Sequence, residues 1–409
     1  MIGYEEAQAL VCKHIPPPKK EKAPLFAALG CVVAQDVRSP LAMPLFDNSA
    51  MDGFVFRSAD TLQASPENPA HLKICGTLKA GAATVYLRPH ETWRIMTGAP
   101  IPRGADTVIA KEKAKVVNDT LLLYKPFLSG HNVRHKGEEL KVGERVIGKG
   151  APVHPALVGI MAALGKKEIE IYKKPRVSLI ATGSELAAPG SDLSSGKIYD
   201  SNSFMVHAAL MQIGIRPVFS KRLGDQPKKI RQVVGHALRE SDLLILMGGV
   251  STGDTDYVKP VLSEFGVRSI FWKVSQKPGK PIYFGKKGST LVFGLPGNPA
   301  AVFTCFYEYV YPAIRRWMGF REPFLDSRSV PVMESIQADL EKSLFLKARM
   351  ERLNGKATVR PLHRQSSHMI SPLYETNALL VVSPGRSVEE GQKALVHLLP
   401  YEVGTSHES

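Results

Sequence analysis

The pattern of apolar and polar positions changes twice along the chain. Between residues 41 and 142, short apolar runs alternate with turn residues, which predicts a β-rich unit. Between residues 175 and 321, apolar strands alternate with longer segments of helical spacing, which predicts a doubly wound parallel sheet of the α/β class. Residues 322–409 return to short strands between Pro and Gly turns and predict a small all-β domain.

Within these regions the pattern predicts individual elements. Predicted helices cover residues 4–14, 155–164, 203–213, 227–240 and 256–265, and a short helix followed by a strand covers 25–37. Predicted strands cover residues 54–56, 168–172, 176–181, 215–220, 243–247 and 378–382. A hairpin at 282–293 and a long helix at 299–318 complete the α/β region.

Length and charge narrow the class of protein. A chain of 409 residues exceeds what one hydrophobic core usually serves, so we expect about two to four domains. The formal net charge of +15 favours an anionic partner, such as a nucleotide, a phosphorylated cofactor, an oxyanion or nucleic acid. Lys and Arg are spread along the chain and are not interleaved with aromatic residues, so we predict small phosphate-bearing molecules and no nucleic acid.

The cysteines and the apolar runs indicate the compartment. The four cysteines form no CxxC pair and lie in apolar sequence, which predicts reduced thiols in the core; they are Cys12, Cys31, Cys75 and Cys305. No apolar run approaches the ~20 residues that a bilayer requires. We therefore expect neither export nor membrane insertion, and a cytoplasmic location.

Residues 44–54, with the sequence PLFDNSAMDGF, mix carboxylates, small polar residues and Gly in a way that packing alone does not explain. Asp, Asn, Ser and Gly all favour turns, so the run predicts a shaped loop that leads into a strand. Asp47 and Asp52 would both lie on this loop. It is either a functional site or an Asx-rich turn that caps the strand, and the residues alone favour neither.

A second candidate site follows the predicted buried strand at 243–247. The loop after it contains Gly248, Gly249, Ser251 and Gly253, whose backbone N–H groups can surround an anion. Asp254 and Asp256 would repel a phosphate unless a cation intervenes, and a bridging Mg²⁺ resolves the conflict. The alternative is that one of these Asp residues only caps the next helix. No Gly-Lys-Ser/Thr follows, so the loop is not a Walker loop.

Other candidate residues also follow predicted strands. Glu185, Asp225 and Asp256 would converge at one edge of the sheet, where acidic side chains bind a metal ion or a hydroxyl, although each alone could be a solvated loop residue. Lys277 and Lys280 flank a Pro-Gly turn and are either an anion site or a solvated surface turn. Pro296 and Asn298 precede the last helix of the α/β region, as a cap or as another anion contact; both belong to the run GLPGNP at 294–299.

Several of these motifs, in this order, resemble the MoeA-type molybdopterin molybdenumtransferase family, whose fold recurs in the C-terminal domain of gephyrin. The motifs are DNSAMDG at 47–53, TGAP at 97–100, GADTV at 104–108, Arg134 with GEE at 137–139, TGSEL at 182–186, YDSN at 199–202, GGVS at 248–251 through Asp256, KPGKP at 277–281 and GLPGNP at 294–299. Three positions depart from the family pattern: Glu139 replaces a common Asp, and His135-Lys136 replaces an Arg pair.

The resemblance implies a multidomain α/β plus β fold. A discontinuous linker domain would comprise residues 1–40 and 143–174, and an inserted β-rich domain residues 41–142. A doubly wound, molybdopterin-binding-like α/β domain would span residues 175–321, and a C-terminal β barrel residues 322–409. The resemblance also implies a homodimer, in which the α/β domain of one protomer faces the inserted domain of its partner.

The resemblance implies an activity in molybdenum cofactor biosynthesis. Members of the family insert molybdate into adenylylated molybdopterin and cleave its pyrophosphate link, releasing AMP. Carried onto this sequence, Asp52, Thr97, Asp225 and Asp256 would be catalytic, and Glu185, Asp225 and Asp256 would hold Mg²⁺. Transient contacts with molybdopterin adenylyltransferase and with acceptor molybdoenzymes are also implied. The alternatives are a non-catalytic scaffold of the gephyrin type and the sister adenylyltransferase activity.

Overall fold

The computed structural model describes residues 1–249, 257–353 and 355–402. These form two compact units. The first unit comprises Met1–Ala34, Gly150–Gly159 and Lys167–Ser409. The second unit comprises Gln35–Lys149 and Ile160–Lys166. None of the helices in the described part of the chain is long and apolar enough to cross a membrane.

The second unit is built on a six-stranded sheet, as the alternating pattern predicted. Its strands, in spatial order, are Thr107–Ala110, Gly53–Phe56, Glu91–Ile95, Ala70–Leu78, Thr120–Leu123 and Lys115–Val117. Phe54 and Phe56 pack on one face with Leu72 and Leu121, whereas Val55 packs on the other face. Since successive side chains point to opposite faces, a strand buried at every position has both faces of its sheet covered. Two short antiparallel pairs flank this sheet, Asn48–Ser49 with Val133–Arg134 and Val37–Arg38 with Arg145–Ile147.

The first unit contains a second six-stranded sheet. Its strands, in spatial order, are Phe219–Leu223, Val177–Thr182, Leu243–Met247, Thr290–Leu295, Tyr283–Lys287 and Arg268–Trp272. The first four are parallel, and Tyr283–Lys287 runs antiparallel to both of its neighbours. Val177–Thr182 and Leu243–Met247 are buried at every position, as expected for parallel strands with helices on both faces.

Helices cover both faces of this parallel sheet. The helices next to it are Ser201–Gln212, Pro227–Glu240, Val258–Glu264 and Pro299–Cys305. Pro227–Glu240 begins with Pro in its first turn, where the missing N–H costs nothing, and buries Ile230, Val234 and Leu238 at intervals of four. The helix Pro299–Cys305 continues through a π-helical turn at Phe306–Val310 into Tyr311–Trp317. The sequence predicts one regular helix at 299–318, so the π turn is an unpredicted feature.

The remaining elements come before and after the α/β region in the sequence. Near the start of the chain, helix Tyr4–His14 contacts the π turn, and strand Lys20–Pro24 pairs antiparallel with Glu168–Tyr172. Helix Pro155–Ala163 precedes that second strand in the sequence and is divided between the two units, its residues from Ile160 onward belonging to the second. The C-terminal sheet has the spatial order Gln276–Lys277, Ser343–Leu353, Ala378–Val382, Lys393–Leu398 and Asp326–Pro331, with Lys356–Pro361 paired to Ser343–Leu353. Because Gln276 and Lys277 pair with Ser343 and Leu344, the C-terminal sheet includes a segment from the α/β region.

The structure corrects three predictions. Residues 25–30 form a turn and no helix, since the Gly30 N–H bonds to the Val153 carbonyl and turns the chain away. The strand predicted at 215–220 lies at Phe219–Leu223, because Pro217 has no N–H for a sheet interior. Cys75 is exposed rather than in the core, because side chains alternate along Ala70–Leu78 and only one face of that alternation is buried.

Candidate active site

A cavity of about 770 Å³ opens at the carboxyl ends of the parallel strands of the first unit. Ligands of open α/β sheets bind at this position. Eight residues predicted from the sequence line the cavity: Glu185, Asp225, Gly248, Gly249, Lys277, Lys280, Pro296 and Asn298. Ser251, Gly253 and Asp256 lie outside the described residues, as does Asp254. The sequence predicts that Glu185, Asp225 and Asp256 converge at one edge of the sheet; the structure brings Glu185 and Asp225 to one cavity, and Asp256 is not among the described residues.

The acidic side of the cavity is formed by the turns after two neighbouring strands. Ser184 and Asp225 hold these turns together, since the Ser184 N–H donates to Asp225 Oδ2 at 2.9 Å and Ser184 Oγ accepts from the Asp225 N–H at 2.9 Å. The carboxylate of Glu185 folds back over Gly183, where an added Cβ would lie 2.7 Å from both carboxylate oxygens. Two carboxylates thus line one wall of the cavity.

These carboxylates fit a Mg²⁺ ion that also binds substrate phosphates. Mg²⁺ usually takes one or two protein carboxylates and completes its shell with water and phosphate oxygens. Within residues 1–249, 257–353 and 355–402, no group of three His, Cys, Asp or Glu side chains could hold a metal ion alone. Glu185 and Asp225 supply the one or two carboxylates that such a Mg²⁺ site takes from a protein.

The basic side of the cavity is the turn that carries Lys277 and Lys280, and a buried network supports it. The fully buried Gln276 donates from Nε2 to the Pro278 carbonyl at 2.9 Å, and the Tyr309 hydroxyl donates to Gln276 Oε1. Tyr309 lies in the π turn, so this irregular turn positions the hydroxyl that holds Gln276. The buried network therefore supports the turn that carries Lys277 and Lys280, and both lysines line the cavity.

The C-terminal domain contributes a wall that the sequence did not predict. Asn298 precedes helix Pro299–Cys305, yet its side chain makes no cap and donates to Ser367 Oγ at 2.9 Å instead. The Ala300 N–H donates to the Ser367 carbonyl at 3.0 Å. Lys347 Nζ donates to the Ser366 carbonyl at 3.1 Å, and burial lowers the pKa of Lys347. The polar run HRQSSH at 363–368 was the available signal, but it resembles an ordinary solvated loop.

Asp52 and Thr97 lie in the second unit, where they are hydrogen-bonded to each other. Asp52 Oδ1 accepts from the Thr97 backbone N–H and from Thr97 Oγ1, both at 2.8 Å. These two hydrogen bonds, with the charge of Lys111 as a smaller cause, hold the pKa of Asp52 below its ordinary value. Asp52 is therefore ionised at neutral pH, and it is positioned by a fixed partner rather than free in solvent.

The other carboxylate of this loop has a structural role. Asp47 Oδ1 accepts from the Lys136 N–H at 2.7 Å, and Asp47 Oδ2 lies 3.4 Å from His135 Nδ1. Asp47 therefore ties the loop to the segment that departs from the family pattern at His135 and Lys136. The Glu139 N–H donates to the Met43 carbonyl at 2.9 Å, a contact that Asp would make equally well through its backbone. Asp47 therefore fits the interpretation of this loop as a structural turn, whereas the interpretation as a functional site still applies to Asp52.

Comparisons with known proteins identify the family. Family models match as the MoeA N-terminal region, domains I and II, at residues 2–165, a probable molybdopterin binding domain at 178–316, and the MoeA C-terminal region, domain IV, at 329–399. The molybdopterin molybdenumtransferase 2 of Mycobacterium tuberculosis is 34% identical over 386 residues, which cover 93% of this chain and 95% of the relative. This chain belongs to the molybdopterin molybdenumtransferase family.

Other members agree in sequence and in fold. The molybdopterin molybdenumtransferase of Bacillus subtilis is 31% identical over 410 residues, covering 99% of this chain and 95% of the relative. Two crystal structures of the molybdopterin biosynthesis MoeA protein from Pyrococcus horikoshii match with TM-scores of 0.82 and 0.79. They are 27% and 29% identical, and cover 97% and 98% of this chain and 99% and 100% of their own. The resemblance drawn from the motifs and the multidomain α/β plus β fold are thereby confirmed.

In this member of the molybdopterin molybdenumtransferase family, we expect Gly279→Ala to weaken anion binding by about 10-fold or more. Gly279 has a φ of +94°, and an added Cβ would lie 2.5 Å from Cys305 Sγ and 2.6 Å from Gln276 Nε2. Overpacking of this kind costs about 1–3 kcal/mol and displaces the turn that carries the lysines. Isothermal titration calorimetry with molybdate and with AMP measures the effect.

Gly288→Ala is the matched control for Gly279→Ala. Gly288 also has a positive φ, of +57°, but an added Cβ would meet nothing within 4 Å. This variant carries the backbone strain of Ala at a positive φ without any clash beside the cavity. Equal binding losses in the two variants would contradict the idea that packing under the turn positions the lysines.

Proposed function

We propose that the protein catalyses the metal insertion step of molybdenum cofactor biosynthesis. It takes adenylylated molybdopterin, inserts molybdate at the dithiolene and cleaves the pyrophosphate link, releasing AMP and molybdenum cofactor. One observation supports this above all: the cavity combines two carboxylates on one wall with two lysines on another, in a chain of the molybdopterin molybdenumtransferase family. Such a pairing of charges suits a pyrophosphate with its cation.

The acidic wall would hold Mg²⁺. Glu185 and Asp225 would bind the ion, with Asp256 as the third ligand. The bound ion would neutralise part of the negative charge of the pyrophosphate. Asp225 has one carboxylate oxygen engaged by the Ser184 N–H, which fixes the direction of the other. This hydrogen bond supports Asp225 as a metal ligand, because it orients the carboxylate.

The remaining walls would bind the anionic substrates. Lys277 and Lys280 would bind the terminal phosphate of the pterin or the molybdate oxyanion, since two ammonium groups carried on one supported turn offset the negative charge of such an anion. Gly248 and Gly249, with Ser251 and Gly253, would surround a phosphate with backbone N–H groups. Pro296 and Asn298 would contact the substrate at the start of the last helix.

Asp52 and Thr97 would complete the site from a second protomer. We propose a homodimer in which these residues of one protomer reach the cavity of its partner. The lowered pKa of Asp52 restricts its role, because a carboxylate ionised at neutral pH accepts hydrogen bonds or binds metal but donates no proton. Asp52 would therefore orient the attacking oxygen or help to hold the metal ion.

The cellular setting remains part of the proposal. We propose a cytoplasmic enzyme with transient contacts to molybdopterin adenylyltransferase and to acceptor molybdoenzymes. The domain division stays a prediction: linker segments 1–40 and 143–174, an inserted domain at 41–142, an α/β domain at 175–321 and a C-terminal domain at 322–409.

The deciding experiment incubates the protein with adenylylated molybdopterin, Mg²⁺ and molybdate, and measures AMP by chromatography. The proposal expects AMP release that depends on molybdate and stops when a chelator removes Mg²⁺. A requirement for ATP would instead indicate the sister adenylyltransferase activity. If no AMP is released while partner proteins are retained in a pull-down, the result favours a scaffold.

A further inference from the structure

The YDSN motif at 199–202 contains one polar atom that its fold does not use. The Tyr199 hydroxyl donates to the Ser191 carbonyl at 2.8 Å, and Asp200 caps helix Ser201–Gln212 by accepting from the Ser203 N–H at 3.0 Å. Asn202 lines the cavity, and its Oδ1 is buried without a hydrogen-bond partner among the residues that the structure describes. Local structure thus accounts for the side chains of Tyr199 and Asp200.

The orientation of the Asn202 amide follows from its neighbour. Asn202 Nδ2 donates to the Gly297 carbonyl at 2.6 Å. A flipped amide would place Oδ1 against that carbonyl oxygen, and two acceptors repel each other, so the nitrogen must face Gly297. Oδ1 is therefore an acceptor with a fixed direction.

A buried acceptor of this kind requires a donor. Leaving it unsatisfied is unfavourable, so such atoms are normally hydrogen-bonded to protein, water or ligand. The other side chains identified in the cavity serve charged groups: Glu185 and Asp225 suit a cation, and Lys277 and Lys280 suit anions. An uncharged acceptor among them suits an uncharged N–H donor.

We propose that Asn202 Oδ1 accepts a hydrogen bond from an N–H group of an aminated nitrogen heterocycle of the substrate, and so discriminates the substrate by its heterocycle. This inference rests on the proposed function, whose substrate carries two such heterocycles, a pterin and an adenine. A site built to accept from a ligand N–H rejects an analogue without it far more strongly than an apolar pocket does. Asn202 is thus a specificity determinant, separate from the charged residues around the pyrophosphate.

The test couples a change in the protein to a change in the ligand. In the adenine arm, calorimetry compares AMP with purine ribonucleoside 5′-monophosphate, which lacks the amino group. In the pterin arm, it compares pterin-6-carboxylate with lumazine-6-carboxylate, in which oxygen replaces the 2-amino group. Each pair is titrated into wild type, Asn202→Ala and Asn202→Asp. We expect wild type to prefer the aminated ligand of one pair by about 10-fold, and Asn202→Ala to lose that preference.

The double comparison separates recognition from a structural role. A purely structural loss weakens both ligands of a pair equally, whereas a lost hydrogen bond weakens only the aminated one. Gly297 is exposed, so its carbonyl can bond to water in Asn202→Ala and the fold is kept. Asn202→Asp keeps an oxygen acceptor but sets its second oxygen against the Gly297 carbonyl, so we expect it to bind both ligands of a pair more weakly and to retain the preference between them.

The arm that shows coupling identifies the heterocycle as adenine or pterin. No coupling in either arm would mean that Oδ1 binds only water, and would overturn the inference. Failure of the proposed function is distinguishable, because it appears as absent molybdate-dependent AMP release in wild type. Coupling with no AMP release refutes the activity alone, and AMP release without coupling refutes the role of Asn202 alone.

Discussion

Replacing Asp52 by Ala is expected to lower the rate of AMP release by at least about 100-fold, the scale of a positioned acid–base or metal-binding carboxylate. Asp52 is ionised and held in place by two hydrogen bonds from Thr97. The measurement is single-turnover release of AMP from adenylylated molybdopterin with saturating Mg²⁺ and molybdate. Circular dichroism confirms that the variant is folded.

Two further variants distinguish the charge of Asp52 from its placement. Thr97→Val removes the hydroxyl donor but keeps the backbone N–H bond to Asp52, so we expect a smaller loss, about 10-fold. Asp47→Asn is the matched control on the same loop, because the Asp47 carboxylate contacts Lys136 and His135 and so holds the loop to that neighbouring segment. Full activity of Asp52→Ala would refute the assignment, and so would an equal loss in Asp47→Asn.

Mixing two inactive variants tests whether the site is shared between protomers. If Asp52 acts on its partner's cavity, a random mixture of Asp52→Ala and Asp225→Ala subunits contains heterodimers with one intact site. About a quarter of wild-type activity should then return after subunit exchange. If the mixture stays inactive although native mass spectrometry shows heterodimers, Asp52 acts within its own protomer.

Local pattern predicts the regular elements of the α/β region well. Leu243–Met247 is a run of five apolar residues and lies where it was predicted, because a parallel strand covered on both faces tolerates little else. Pro227–Glu240 also matches its prediction, because Pro marks its start and apolar residues recur every four positions. The π turn at Phe306–Val310 has no such local signal, since every residue there is buried.

The candidate site was predictable where strand ends alone fix position. Glu185, Asp225, Gly248 and Gly249 each follow a parallel strand, and such ends share one edge of a sheet. Gln276 and Ser367 were missed because their positions depend on contacts distant in sequence. The pairing of Gln276–Lys277 with the C-terminal strand brings that domain to the cavity, and no periodicity within either segment indicates this pairing.

Glu308, in the π turn, contacts His397, and the local sequence did not indicate this contact. Glu308 is 2% exposed, and its Oε1 lies 2.8 Å from His397 Nδ1. Gln8 completes the site by donating from Nε2 to Glu308 Oε2 at 2.9 Å and to the Glu308 carbonyl at 3.1 Å. Gln8, Glu308 and His397 thus connect the first helix, the π turn and the C-terminal sheet of the first unit.

We expect His397→Leu to lower the free energy of unfolding by about 3–5 kcal/mol, because removing one partner of a buried pair leaves the other charge uncompensated. The measurement is equilibrium unfolding in urea at pH 6. Glu308→Gln is the matched variant, since it keeps the shape and can donate to a neutral imidazole. It should lose less stability than His397→Leu, and a larger loss would contradict the buried ion pair.

The pH dependence of stability tests the same pair independently. Burial alone would lower the pKa of His397, but the hydrogen bond and charge of Glu308, with a further contribution from Glu5, raise it above its ordinary value. A group whose folded pKa exceeds its unfolded value of about 6.5 stabilises fully below that pH, and its contribution is lost as the pH rises through the folded pKa. The stability advantage of wild type over Glu308→Gln should therefore be largest near pH 6 and should shrink in alkaline solution. A constant difference from pH 6 to pH 9 would show that His397 is neutral in the folded protein, and that the two residues share only an uncharged hydrogen bond.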